Sequence, residues 1–216
     1  RKGEKLGPVG AHWDRDSLWG WSERHLAWLR VRNYSEATVI GRQSAMRRFI
    51  AWAEERGLRL PGEITKPMLE SYQRHLTIVP VRNGKPMTFR SQHGSLQHVK
   101  GYFRWLSRQN VLGANPAAEL EMPKREMRLP MVILSADEVE TIVRSIDLGD
   151  PLGVRDRAMI EVLYSTALRR MELVQLRIED VDAERGTLAV RQGKGKRDRL
   201  VPIGERALAW VERYRR

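Results

Sequence analysis

Apolar residues recur through the first hundred positions at spacings of three and four, a period that predicts helices rather than strands. Leu18, Trp21, Leu26, Trp28 and Leu29 trace a first helix, opened by the capping hydroxyl of Ser17 and closed near Asn33. Val39, Ile40, Met46, Phe49, Ile50 and Trp52 trace a second from Ser35 to Gly57, with Arg42, Arg47 and Arg48 mostly on its other faces. Thr65 opens a third through Met68, Leu69, Tyr72 and Leu76; Pro67 is tolerated in its first turn, and Val79-Pro80 ends it. After a loop at Asn83-Gly84, Thr88 starts a fourth that carries Leu96, Val99, Phe103, Trp105 and Leu106 toward Asn110 to Gly113. Trp28, Phe49, Trp52, Phe103 and Trp105 fall at core spacing, which makes them packing residues rather than base-stacking platforms.

Beyond residue 114 the pattern changes. Pro116, Pro123 and Pro130 stand among Lys124, Arg125, Glu126 and Arg128, a composition that suits an extended connector. Ser135-Ala136-Asp137-Glu138 reads as a capped helix start, and residues 154–176 are strongly helical apart from a break at Thr166 to Leu168. Leu188-Ala189-Val190 and Leu200-Val201-Pro202-Ile203 read as two short strands joined by a Gly-rich basic turn. The expected fold is mainly α, with four helices, a linker, two helices and a small antiparallel β-hairpin. Its divisions are a tail at 1–16, a helical domain at 17–114, a linker at 115–133 and a second domain at 134–216.

Charge narrows the partners. The 216 residues hold 39 Lys and Arg against 27 Asp and Glu, a formal net charge of +12, which favours a polyanion and nucleic acid first. The basic residues are spread over several segments, unlike a polybasic tail or one membrane-surface helix. No cysteine is present, which excludes disulfides and thiolate metal sites and fits a reducing compartment. With no run of 18 apolar residues and no signal-like stretch, the expectation is a soluble, cytoplasmic protein.

One constellation carries chemistry. Ser165-Thr166-Ala167-Leu168-Arg169-Arg170-Met171-Glu172-Leu173 precedes Gly193-Lys194-Gly195-Lys196-Arg197-Asp198-Arg199-Leu200-Val201-Pro202-Ile203. An Arg-x-x-Glu pair alone is ordinarily a surface salt bridge. A Gly-Lys-Gly-Lys turn alone is ordinarily a solvated loop or a nonspecific phosphate contact. In this order the two resemble the tyrosine recombinase, or phage integrase, family, close to Xer-type enzymes, and the similarity runs from about Ser17 onward.

The resemblance implies a helical core-binding (SAM-like) DNA-binding domain followed by the N-terminal part of an α+β catalytic domain, the two forming a clamp around duplex DNA. It matches Arg169 to a catalytic arginine, Glu172 to its supporting acid and Lys194 to the hairpin lysine, with Lys196 the rival. A guanidinium donates two parallel hydrogen bonds to the oxygens of a five-coordinate phosphorane. An ammonium can protonate the departing sugar oxygen. The implied interface on the second and fourth helices comprises Arg42, Ser44, Arg47, Arg90, Gln92, Gln97 and Lys100, joined at the hairpin by Lys196 and Arg197. His93 and His98 face DNA or solvent.

The implied reaction is DNA cleavage and rejoining through a phosphotyrosine, with no metal or small-molecule cofactor and with other protomers on paired sites. The sequence departs from the family pattern at Ala167, where glycine is usual, and at Met171, where a small residue is usual. After Ile203 there is no His-x-x-Arg, and Tyr214 is too early for the nucleophile. The expectation is a truncated recombinase that binds DNA without catalysing alone. A noncatalytic DNA-binding or architectural derivative is the alternative, and a helical interaction scaffold leaves Arg169 and Lys194 unused.

Overall fold

The structure, a computed structural model, describes residues 7–80, 84–124, 133–193 and 195–216. Lys194, Asn83 and residues 125–132 of the expected connector lie outside the described residues. The chain forms two compact units, residues 1–129 and 130–216.

Four helices build the first unit: α1 (Leu18–Val31), α2 (Glu36–Glu54), α3 (Lys66–Ile78) and α4 (Phe89–Arg108). Their starts are local events. Ser17 Oγ accepts from the Gly20 amide at 3.0 Å, and Ser35 and Thr88 accept from the amides of Thr38 and Ser91, each at 3.3 Å. Phe49 lies at the centre, edge-on to Tyr72 and Phe103 with ring centroids 5.1 and 5.8 Å away. Trp52, Trp105, Leu69 and Leu96 belong to the buried set around it, and Trp28 packs against it. The Tyr102 hydroxyl donates to the Leu18 carbonyl at 3.1 Å and so ties α4 to the start of α1. The connector is not extended throughout: Ala117 and Leu120 are buried in this same core, where their apolar side chains leave water.

His25, 2% exposed, is enclosed by Trp105, Tyr102 and Trp28 at ring separations of 5.0, 5.8 and 6.0 Å. Burial, reinforced by the Arg42 charge and by His98, lowers its pKa from 6.5 to about 4. Below pH 6.5 the unfolded chain takes up a proton that the folded chain refuses until about 4, so acid favours unfolding through that window. Urea unfolding of the first unit is expected to lose about 2–3 kcal/mol between pH 7 and 4.5 through this residue. His25→Phe should lack that share of the decline, and equal slopes for parent and variant would refute it.

The second unit contains α5 (Ala136–Arg144), α6 (Pro151–Thr166), the five-residue α7 (Arg170–Val174), a 3-10 turn at Ile178–Asp180 and α8 (Glu205–Arg215). Its sheet has three antiparallel strands in the order β1 (Val181–Asp182), β2 (Thr187–Val190), β3 (Arg199–Pro202). The hairpin expected from the sequence is β2–β3, with Val190 opposite Arg199 and Thr187 opposite Pro202. The third strand was not expected because two residues display no period. Val162, Leu168, Leu188, Val190, Ile203 and Ala207 form the core between helices and sheet. A charged network joins the helices: Glu161, 4% exposed, accepts from Arg157 of α6 and Arg206 of α8, and Arg206 also pairs with Glu140 of α5. Among the described residues no helix is long and apolar enough to cross a membrane.

Candidate active site

The break between α6 and α7 creates the site. Ala167 adopts the left-handed conformation at φ 49°, where glycine is the usual residue, and its amide donates to the Leu163 carbonyl. The chain then turns so that Arg169 occupies the N-cap position of α7, and Glu172 at the third position reaches back. One Glu172 oxygen accepts from the Arg169 amide at 3.0 Å and the other from Arg169 Nη1 at 3.1 Å. The spacing that on a continuous helix makes an ordinary surface pair therefore makes a cap here.

Glu172 is 7% exposed, while the Arg169 side chain is 59% exposed. The buried carboxylate has a further partner from the hairpin. Arg199, first residue of β3, donates through Nη1 at 3.0 Å and Nη2 at 2.7 Å, one bond to each oxygen. These bonds from Arg199, followed by the Arg169 amide, hold the Glu172 carboxyl well below the usual carboxylate range. Two guanidiniums around one carboxylate leave a net positive charge at an exposed arginine, the arrangement a phosphodiester needs.

Sequence reasoning brought Arg169 and Glu172 together and missed Arg199, whose only signal was its position at the foot of the basic turn. Lys194 itself lies outside the described residues. Its neighbours Lys196 and Arg197 are exposed on the loop between β2 and β3, where Lys196 takes a left-handed φ of 56°. The loop braces itself: the Gly193 amide donates to Arg197 O at 3.1 Å, and the Lys196 amide to Gly193 O at 2.8 Å. Tyr214 of α8 is 52% exposed, more than the partial burial expected of it, and lies beside an apolar groove with Met159 and Val174.

On the first unit, α2 and α4 enclose a cleft of about 480 Å³ lined by Arg42, His93, Gln97, His98, Lys100 and Arg104, among others. Arg42 also stacks over Tyr34 at 5.0 Å. Arg104 is an addition to the expected set; helical spacing from Gln97 and Lys100 was its signal. Ser44 is half-buried, and Arg90 is exposed in the first turn of α4. Arg47 is half-buried, reaches the Gly7 carbonyl and lies over Trp19.

Of the expected contacts, Gln92 is corrected by the structure and Lys100 is found with a partner inside the unit. Gln92 is 3% exposed and its amide holds the Met87 carbonyl at 2.8 Å, so it braces the α4 start and does not present a base-reading face. Its position two residues from Arg90 on a helix points it to the opposite side. Lys100 is partly committed, donating to Leu120 O at 2.8 Å, which anchors the segment after α4. His93 approaches the Pro123 carbonyl at 3.1 Å, and His98 is half-buried.

Residues 133–216 match the phage integrase family. The chain is 51% identical over 192 residues to tyrosine recombinase XerC 2 of Ralstonia nicotianae, covering 89% of this chain and 55% of that protein. It is 37% identical over 189 residues to tyrosine recombinase XerD of Pseudomonas putida, covering 88% of this chain and 60% of that protein. The chain thus spans little more than half the length of these relatives. Two solved structures share the fold: the Tn1549 transposon integrase in complex with circular intermediate DNA, and a lambda integrase dimer bound to a core site. The first has a TM-score of 0.64 at 19% identity over 91% of this chain and 64% of that one. The second has 0.62 at 23% over 91% and 67%. With an arginine capped into place beside a basic hairpin and half of its 192 aligned residues identical to those of tyrosine recombinase XerC 2, this chain belongs to the phage integrase, or tyrosine recombinase, family.

Proposed function

We propose that these residues grip duplex DNA and supply the first half of the phosphodiester site of a site-specific recombinase, which cleaves and rejoins strands through a phosphotyrosine. The observation that carries the reading is the Glu172 carboxylate, which joins exposed Arg169 to the root of the hairpin that bears Lys194. Arg169 holds the non-bridging phosphate oxygens and Lys194 protonates the departing sugar oxygen. The cleft between α2 and α4, with Arg42, Gln97, Lys100 and Arg104, takes the backbone. Arg90, Ser44, Arg47, Lys196 and Arg197 extend the contact surface. A DNA substrate and a sequence without cysteine support a cytoplasmic location. Further protomers on paired sites are its partners, in line with the lambda integrase tetramer bound to a Holliday junction, whose fold it shares at TM-score 0.63 and 23% identity over 91% of this chain and 52% of that one.

Salt-titrated binding to a duplex tests the grip. Log affinity should fall linearly with log salt, and Arg42→Ala or Arg104→Ala should weaken binding and flatten the slope by about one. Unchanged slopes for both would remove the cleft from the interface. After Ile203 the present residues contain no histidine and a single tyrosine, Tyr214. A nicked duplex is therefore expected to be bound by these residues without a covalent adduct; a trapped adduct on Tyr214 would overturn that part of the reading.

A further inference from the structure

Four hydrogen bonds converge on the Glu172 carboxylate, and Arg199 supplies two of them. Oε1 accepts from Arg169 Nη1 at 3.1 Å and from Arg199 Nη1 at 3.0 Å. Oε2 accepts from the Arg169 amide at 3.0 Å and from Arg199 Nη2 at 2.7 Å. A carboxylate offers about four lone-pair sites, so with Arg199 seated there is no acceptor left for a second N–H of the Arg169 side chain. Gly193 gives the Arg199 fork its room: a Cβ there would stand 2.8 Å from Arg199 Nη1 and 2.9 Å from Glu172 Oε1. The Glu172 side chain is 6% exposed and that of Arg199 38%, whereas Arg169, bonded to the acid through Nη1 alone, keeps 59% of its side chain in contact with solvent.

We propose that Arg199 is a positioning residue, which saturates the buried Glu172 carboxylate and so keeps the Arg169 guanidinium from folding down onto that acid, leaving its planar fork open for a phosphate. This rests on the recombinase reading above. Without Arg199 the carboxylate has two unfilled acceptor sites and a charge with little water around it, a costly state that Arg169, already bonded to it, can relieve. An arginine held by two bonds to a buried acid gives up one edge of its fork and much of its field to that acid. A lysine in place of Arg199 supplies the charge but not the parallel pair of bonds, so it fills the carboxylate only in part.

Phenylglyoxal, which adds across two nitrogens of one guanidinium, reads this openness directly. Labelling of Arg169 is followed by mass spectrometry without DNA, with the exposed neighbour Arg170 as internal reference. Arg199→Ala should slow Arg169 labelling about five- to tenfold and leave Arg170 unchanged, and Arg199→Lys should slow it less. Adding Glu172→Gln to Arg199→Ala removes the charge and keeps an acceptor for the Arg169 amide, so labelling should return to the parental rate. A residue that only stabilises the unit would lower its unfolding midpoint and leave Arg169 of the folded protein labelled at the parental rate. That result overturns the proposal, as does a double variant no faster than Arg199→Ala. If Arg199→Ala does not fold, Arg199→Lys is judged by the same two criteria, alone and with Glu172→Gln.

The same labelling with duplex present supplies the functional arm. Duplex should protect Arg169 in the parent, and the degree of protection should fall in Arg199→Ala and recover in the double variant. Protection retained in full by Arg199→Ala overturns the positioning role. No protection of Arg169 even in the parent means that the recombinase reading of the site fails, while the rates without DNA still judge whether Arg199 keeps the guanidinium open.

Discussion

Glu161→Ala is expected to lower the stability of the second unit by about 3–5 kcal/mol. A single oxygen of this carboxylate accepts from Arg157 Nε at 3.0 Å and from Arg206 Nε and Nη2 at 2.9 and 2.7 Å. Arg157 is itself 8% exposed, donates to the Val143 carbonyl at 2.7 Å and stacks against Trp210 at 4.7 Å. It is therefore left largely buried when its partner is removed. An uncompensated buried guanidinium is what makes breaking such a pair far more costly than the pair's own net contribution. Because the network joins α5, α6 and α8, the loss should appear in amide exchange across those helices and leave the first unit unchanged. A loss below about 1 kcal/mol would show that water reaches Arg157 and that the network behaves as a surface one.

Arg169→Ala is expected to lower strand cleavage by about 10²- to 10³-fold, the cost of removing one preorganised oxyanion donor. The assay joins these residues to the segment of the Ralstonia nicotianae relative that they do not span. Folding should survive the change, because Glu172 keeps the Arg169 backbone amide and both bonds from Arg199. Arg169→Lys should recover only part of the rate, having the charge without the planar fork. Parent-like cleavage by Arg169→Ala would remove the arginine from the phosphate site, and a lowered unfolding midpoint would instead make it a structural cap.

How legible each part was depended on how far apart in sequence the interacting groups lie. The four helices of the first unit were readable because both of their causes are local: apolar residues three and four apart, and capping hydroxyls within three residues of the amides they satisfy. The break after Thr166 was readable for the same reason. The start of α6 at Pro151 instead of residue 154, the two-residue β1 and the burial of Ala117 and Leu120 were not, because short or proline-rich segments carry no period. Gln92 was misplaced by residue type: a polar side chain on a basic helix was read as outward, and the structure uses it to hold a backbone carbonyl.

By itself the sequence determined the helical first unit, the β2–β3 hairpin and the Arg169 to Glu172 spacing, since each follows from backbone geometry over a few residues. Only the tertiary structure decided that Glu172 is buried and shared, because Arg199 reaches it from 27 residues away and Arg191 finds Asp180 from 11. Charged residues on exposed strands carry no hydrophobic pattern that announces a partner. Their pairing is set by the path of the chain, which the apolar core of Val162, Leu188 and Ile203 holds in place.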